Sequence, residues 1–249
     1  MNLASQSAAA SRFPAAVTAA AGATVFALNP AARVHIETLS SGCPVIVIDD
    51  FYADPLAVRA LALDGRYDSS RAYYPGLHSE IDPLLQQPLH AALVQLLAVL
   101  GRVRCRAQDI ASDFSIVTTP ARQMLAQQKH PHVDGVPMAG VLYLNPDFEI
   151  GTSFFRHRPT GLAFVRSAAD MATFGDWMKQ HGQATQPASY AADEAPDWEH
   201  LHSAAGHFNR LVMYPGTAFH SIAMRDVRQN LTLDQARLTQ RFFINRVGA

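Results

Sequence analysis

The chain has 249 residues, 49% of them apolar, enough to bury a full core, and a β-rich chain of this length is expected to fold as one domain. Its 20 Lys and Arg against 21 Asp and Glu exclude the one-sided field that gathers nucleic acid or anionic lipid, and leave a small molecule or peptide as the expected partner. No stretch reaches the roughly 18 consecutive apolar residues of a membrane span. The two cysteines, Cys43 and Cys105, have no CxxC or zinc-knuckle spacing, which fits a reducing compartment. The expectation is a cytoplasmic protein, monomeric or homodimeric, with no nucleic-acid or membrane partner.

Residues 1–24 are rich in Ala and Ser and carry one Arg. They read as a flexible N-terminus, since no charged n-region precedes a compact apolar segment. The rest, 25–249, reads as one unit. Val25–Leu28 is a short apolar run closed by Asn29-Pro30, and Arg33–Leu39 alternates like a half-buried strand. Cys43–Ile48, written CPVIVI, predicts a buried strand ending at Asp49-Asp50. Asp54-Pro55 opens a helix with Leu56, Ala57, Ala60 and Leu61 at three- and four-residue spacing and Gly65 as its stop. Pro83–Leu100 predicts a second amphipathic helix. From Val103 onward, short β-rich runs recur, at 112–118, 123–129, 139–145, 152–157, 208–214, 217–222 and 237–246. Residues 159–207 form a long insertion of helix and polar loop. The pattern predicts a mainly β, α+β fold, with helices flanking a sandwich or barrel of locally connected strands.

The chemistry concentrates in HPHVDGVPMAGVLYLN, residues 130–145. Residues two apart in a strand share a face, so His132 and Asp134 converge while Val133 turns away. Pro131 interrupts a regular strand between His130 and His132, which leaves His130 as a supporting or surface residue. A third ligand must come from elsewhere, and His220, after the turn Tyr214-Pro-Gly-Thr-Ala-Phe, is the candidate. Two imidazoles and one carboxylate on one face of an octahedral ion leave three positions open, the ligand set of non-haem Fe(II) oxygenases. In Arg237-Leu-Thr-Gln-Arg241, alternation places Arg237 and Thr239 on one face, with Arg241 on the same side. A guanidinium fork suits a carboxylate of a co-substrate, and either arginine can serve.

Three other readings compete. Glu199-His200-Leu201-His202 with His207 could hold zinc, but it reads as a solvated acidic loop. Zinc on His132, Asp134 and His220 would describe a metal-dependent hydrolase, leaving Arg237 and Thr239 unexplained. A β-barrel that only binds a partner is the non-catalytic alternative. No GxSxG, P-loop or GxGxxG is present.

Taken in order, His132-Val-Asp134, Tyr143-Leu144-Asn145, Gly151-Thr152-Ser153-Phe154, His220 and Arg237-Leu-Thr239 resemble the Fe(II)/2-oxoglutarate-dependent dioxygenases of the prolyl-hydroxylase-like branch. The wording of VLYLN, GTSFFRHRPTG, NRLVMYP, FHS and RLTQRFF also resembles a bacterial domain group of unknown function within that superfamily. The resemblance spans roughly residues 43–246. It implies a double-stranded β-helix (jelly-roll or cupin-like) core. It also implies Fe(II), 2-oxoglutarate and O2, with His132, Asp134 and His220 on the metal and Arg237, Thr239 and Tyr143 on the co-substrate. Hydroxylation is the implied outcome, because related halogenases lack the carboxylate ligand that Asp134 supplies. The substrate is then expected over the barrel mouth, near Tyr74, Arg156 and Arg158. Two departures stand out. Glu149-Ile150-Gly151-Thr152 replaces the usual Gly-Gly-x-Thr, and Ala223–Ala236 lengthens the spacing from His220 to Arg237.

Overall fold

The structure, a computed structural model, describes residues 6–7, 11–13, 24–69, 76–100, 104–182, 184, 187, 189–190, 195–225, 227 and 231–247. Two antiparallel sheets dominate it. The strands, in chain order, are β1 (Gln6–Ser7), β2 (Ser11–Arg12), β3 (Arg33–Thr38), β4 (Pro44–Asp49), β5 (Leu77–Glu80) and β6 (Ile110–Val117). They continue as β7 (Met138–Tyr143), β8 (Thr152–His157), β9 (Trp198–Ala204), β10 (Leu211–Tyr214), β11 (His220–Ile222) and β12 (Arg237–Ile244). The larger sheet runs β1-β3-β4-β10-β7-β12-β6-β5, with β2 also on β3, and the smaller runs β11-β8-β9.

From β6 onward the chain alternates between sheets. It leaves β6 in the larger sheet and touches the edge of the smaller one where His132 pairs with His220. It then returns as β7, crosses to β8 and β9, returns as β10, crosses to β11 and ends in β12. Strand alternation feeds two cores. Val45, Val47, Ala139, Tyr143 and Val212 face the smaller sheet and meet Phe154 and Ala204. Ile46, Ile48, Leu211, Met213 and Phe242 face outward and are covered by the helices.

The helix Pro55–Leu63 begins under an Asp54 cap, whose side chain accepts from Ala57 N, and the helix Pro83–Val99 begins under Asp82, which accepts from Leu84 N. Each carries Pro in its first turn, where the missing N–H is no loss. Val58, Ala62, Leu89, Leu93, Leu96 and Leu97 form the buried stripe. No helix among the described residues is long and apolar enough to cross a membrane.

Three sequence expectations need correction. Residues 123–129 are not a strand: Ala121–Gln123 is a 3-10 turn and Ala126–Lys129 a short helix, as Ala-Gln-Gln-Lys prefers intrinsically. The 159–207 insertion contains the expected helix, Ala168–His181, but also β9, which completes the smaller sheet. Leu77–Glu80 forms an edge strand that its four-residue pattern did not announce. Most of the N-terminal segment 1–24 lies outside the described residues, as does Tyr74.

Candidate metal centre

His132 and His220 stand directly opposite each other, each backbone N–H donating to the other's carbonyl at 2.9 and 3.0 Å. Opposed residues of an antiparallel pair share a face, so the two rings meet with centroids 4.2 Å apart. His132 thus owes its direction to cross-strand pairing as well as to the parity of its own segment. Val133 turns to the opposite side, against the cluster around Trp198 and Phe219. Asp134 N donates to Gly216 O at 2.7 Å, which ties the ligand loop to the turn before β11. Gly216 must be glycine there, because a Cβ would stand 2.5 Å from Val136 O.

Asp134 spreads its carboxylate between the imidazoles, Oδ1 lying 3.6 Å from His132 Nε2 and Oδ2 3.4 Å from His220 Nε2. One ligand atom from each of the three residues lies within 4.8 Å of the other two, and no second such group occurs among the described residues. An octahedral ion with bonds of about 2.1 Å needs cis ligand atoms about 3 Å apart, so two nitrogens and one oxygen here fit such an ion with small adjustments. His220 Nδ1 donates to Ala218 O at 3.0 Å, leaving the Nε2 lone pair for a metal. Burial and the neighbouring His220 lower His132 to about 4, so its ring is neutral at physiological pH. Burial opposes the charge of Asp134, but His220 and His132 outweigh it and hold the carboxyl at about 2. His132 and Asp134 are therefore deprotonated and ready for a cation.

The triad opens into a cavity of about 80 Å³ whose other walls include Ser115, Thr152, Arg237, Thr239, Arg241 and Phe243. Arg237 is 7% exposed, and its Nε and Nη2 donate to the carbonyls of Ile150 and Gly151 at 3.2 and 3.3 Å. Among the described residues no carboxylate pairs with it. Its guanidinium carbon lies 5.5 Å from the Tyr143 ring centroid. Asn145 sets the start of β12, its Nδ2 donating to Ala236 O and its Oδ1 accepting from Leu238 N, both at 2.8 Å. This suture fixes where Arg237 enters the cavity.

Arg241 has a partner already. Its Nε donates to Asp113 Oδ1 at 2.8 Å and its Nη2 to Asp113 Oδ2. Thr239 lines the cavity with a buried hydroxyl that makes no hydrogen bond. Tyr143 is fully buried and its hydroxyl pairs with Thr152 Oγ1 at 2.8 Å. Arg156 does not reach the cavity. It faces Glu199 at 2.8 Å and borders a separate small pocket. Arg158 is exposed beyond the end of β8.

His130 is neither ligand nor surface residue: it is buried, Nε2 donating to Gly182 O at 2.9 Å and Nδ1 accepting from Trp198 Nε1 at 3.2 Å. The competing histidines lie on or just after β9 rather than in a strandless loop, and they disperse. His200 meets Ser203, His202 meets Glu37 and His207 meets Glu149, at 2.7, 3.0 and 2.6 Å. Sequence reasoning missed Ser115 and Asp113, whose positions follow from strand register alone and which no local motif marks; Tyr214 stands in the NRLVMYP run, which gives it no role at the site.

No curated protein matches the chain. The model of a family of unknown function, DUF6445, covers residues 30–244, most of the sequence, and the protein belongs to that family.

Proposed function

We propose that the protein is an Fe(II)- and 2-oxoglutarate-dependent oxygenase built on a jelly-roll core, acting on an unactivated C–H bond of a small molecule, amino acid or peptide. The exchange of strands between two facing sheets from β6 to β12 supports the jelly-roll reading. The observation that carries the functional reading is Arg237. A buried guanidinium held only by carbonyls is costly unless an anion completes its environment, and this one lies in the wall of the cavity that the His132–Asp134–His220 group opens into.

When bound, iron with 2-oxoglutarate and O2 supplies the oxidation, 2-oxoglutarate leaving as succinate and CO2. The chain's own residues bind, orient and exclude water. His132, Asp134 and His220 hold the metal from one side and leave the cavity side open. Arg237 offers its planar donor fork to the distal carboxylate of the co-substrate. Thr239, whose hydroxyl is buried and unpaired, adds a hydrogen bond to the same group. Tyr143 carries the guanidinium on its ring face and is kept in place by Thr152. A zinc hydrolase on the same triad leaves the buried Arg237 without a role.

Metal-free protein given Fe(II) and 2-oxoglutarate under anaerobic conditions is expected to develop the visible charge-transfer band of the chelate, and His132→Ala to abolish it. Folded, iron-loaded protein with neither the band nor 2-oxoglutarate binding would sink the reading.

A further inference from the structure

Tyr214 is the last residue of β10, and the alternation of that strand turns it, like Val212, toward the smaller sheet. Its ring is held on two sides. Phe154 meets it edge-on, with centroids 5.1 Å apart and an interplanar angle of 80°, and the His220 imidazole lies 4.7 Å away. A phenylalanine would fill the same space, so packing accounts for the ring and leaves the oxygen unexplained.

That hydroxyl is the exception among the described tyrosines. Those of Tyr52, Tyr67, Tyr143 and Tyr190 have partners on Gln240, Ala62 O, Thr152 and Thr119 O, at 2.7, 2.9, 2.8 and 2.7 Å. No described residue hydrogen-bonds the hydroxyl of Tyr214. The oxygen is not sealed in protein, unlike the enclosed orphan atoms elsewhere in the fold, and the residue lines the metal cavity while being only 2% exposed. A buried tyrosine normally finds its hydroxyl a partner, and a buried polar group without one calls for an explanation. Asp134 of the metal group and the buried Arg237 both act electrostatically on this phenol, so it stands in the field of both. Arg237, Thr239 and Tyr143 serve the distal carboxylate of the co-substrate, and none of them serves the end that meets the metal.

We propose that the Tyr214 hydroxyl donates a hydrogen bond to a carboxylate oxygen bound at the metal, and so orients the metal-bound end of the co-substrate. The inference rests on the metal reading of His132, Asp134 and His220, and on the oxygenase reading for the identity of the ligand. A phenol is neutral at physiological pH and donates one hydrogen. Directed at an anion, such a bond is shorter and stronger than one between neutral groups. It also adds no charge, so the two ends of a dicarboxylate are told apart: the guanidinium of Arg237 suits the free carboxylate, and the phenol suits the one whose charge the metal already neutralises. The clamp of Phe154 and His220 on the ring spares the cost of ordering the donor when the ligand arrives.

The test compares the full wild-type chain with Tyr214→Phe, which keeps the ring and removes only the oxygen. Iron-loaded, anaerobic protein is titrated with 2-oxoglutarate. The variant is expected to bind iron as wild type does but to need about ten-fold more 2-oxoglutarate, the usual weight of a hydrogen bond to a charged group. Its chelate band is expected at shorter wavelength, because the chelate loses a donor that stabilises its acceptor orbital. Its ligand-free urea midpoint is expected not to fall, since the hydroxyl has no described protein partner to lose. A lower midpoint with affinity and band unchanged would give the oxygen a structural task and overturn the proposal, as would unchanged affinity and band at equal stability. Co(II)-loaded protein titrated with acetate separates this inference from the oxygenase reading. If iron-loaded wild type gives no band and binds no 2-oxoglutarate, that reading falls and the acetate-dependent change in the visible Co(II) bands decides Tyr214. Weaker acetate binding by the variant upholds a metal-bound carboxylate as the partner, and equal binding removes it. Wild type that binds neither Fe(II) nor Co(II) overturns both.

Discussion

Arg237 and Arg241 share a face of β12 four residues apart, yet their surroundings assign them opposite tasks. Arg241 is neutralised by the bidentate Asp113, so it walls the cavity. Arg237 is buried against carbonyls only and keeps its charge for a ligand. Arg237→Ala is expected to weaken 2-oxoglutarate binding at least ten-fold while iron still binds, measured by titrating the chelate band. Arg241→Ala is expected to spare that affinity and to cost about 1–2 kcal/mol in a urea titration, because it strands Asp113. The reverse pattern would refute the anchor assignment. His132, Asp134 and His220 were legible in the sequence because few residue types bind metals and strand parity links two of them. The choice between the arginines was not, because it depends on Asp113, which meets Arg241 only through the β6–β12 register.

At the scale of elements, the start of β8 and the end of β9 approach closely. A Cβ on Gly151 would lie 1.8 Å from Ala204 O, so only glycine allows the two backbones to touch. The same residue's carbonyl accepts from Arg237, which couples this junction to the cavity wall. Gly151→Ala is expected to lose about 2 kcal/mol or more in a urea titration and to weaken 2-oxoglutarate more than iron. Unchanged stability would show that the strands can part freely. β7, β8, β10 and β12 were readable from their apolar runs and alternation. β9 was hidden, because His200 is exposed, Leu201 and His202 remain partly solvated, and its two buried ends, Trp198 and Ala204, are six positions apart. β5 is four residues long and carries His78 and Ser79 inward, a pattern that resembles a loop until β6 pairs with it.

For the whole molecule, the sandwich places a set of neutral imidazoles in or beside its cores, and this couples stability to acid. Burial lowers His90, His132 and His157 to about 4, with His220 adding to the effect on His132. These folded-state values lie below the ordinary 6.5 of an unfolded histidine, so the unfolded chain binds more protons between the two pH values. Stability is therefore complete above about pH 6.5 and falls as the pH drops toward 4. Allowing for solvent that still reaches His90, each histidine contributes about 1 kcal/mol to that fall. The metal-free protein is expected to show a lower urea midpoint at pH 5 than at pH 7. His90→Gln, remote from the metal ligands and able to keep a hydrogen bond to Ser112, is expected to flatten the dependence by its share. A midpoint that stays constant from pH 7 to pH 5 would mean that these rings are solvated in the folded protein.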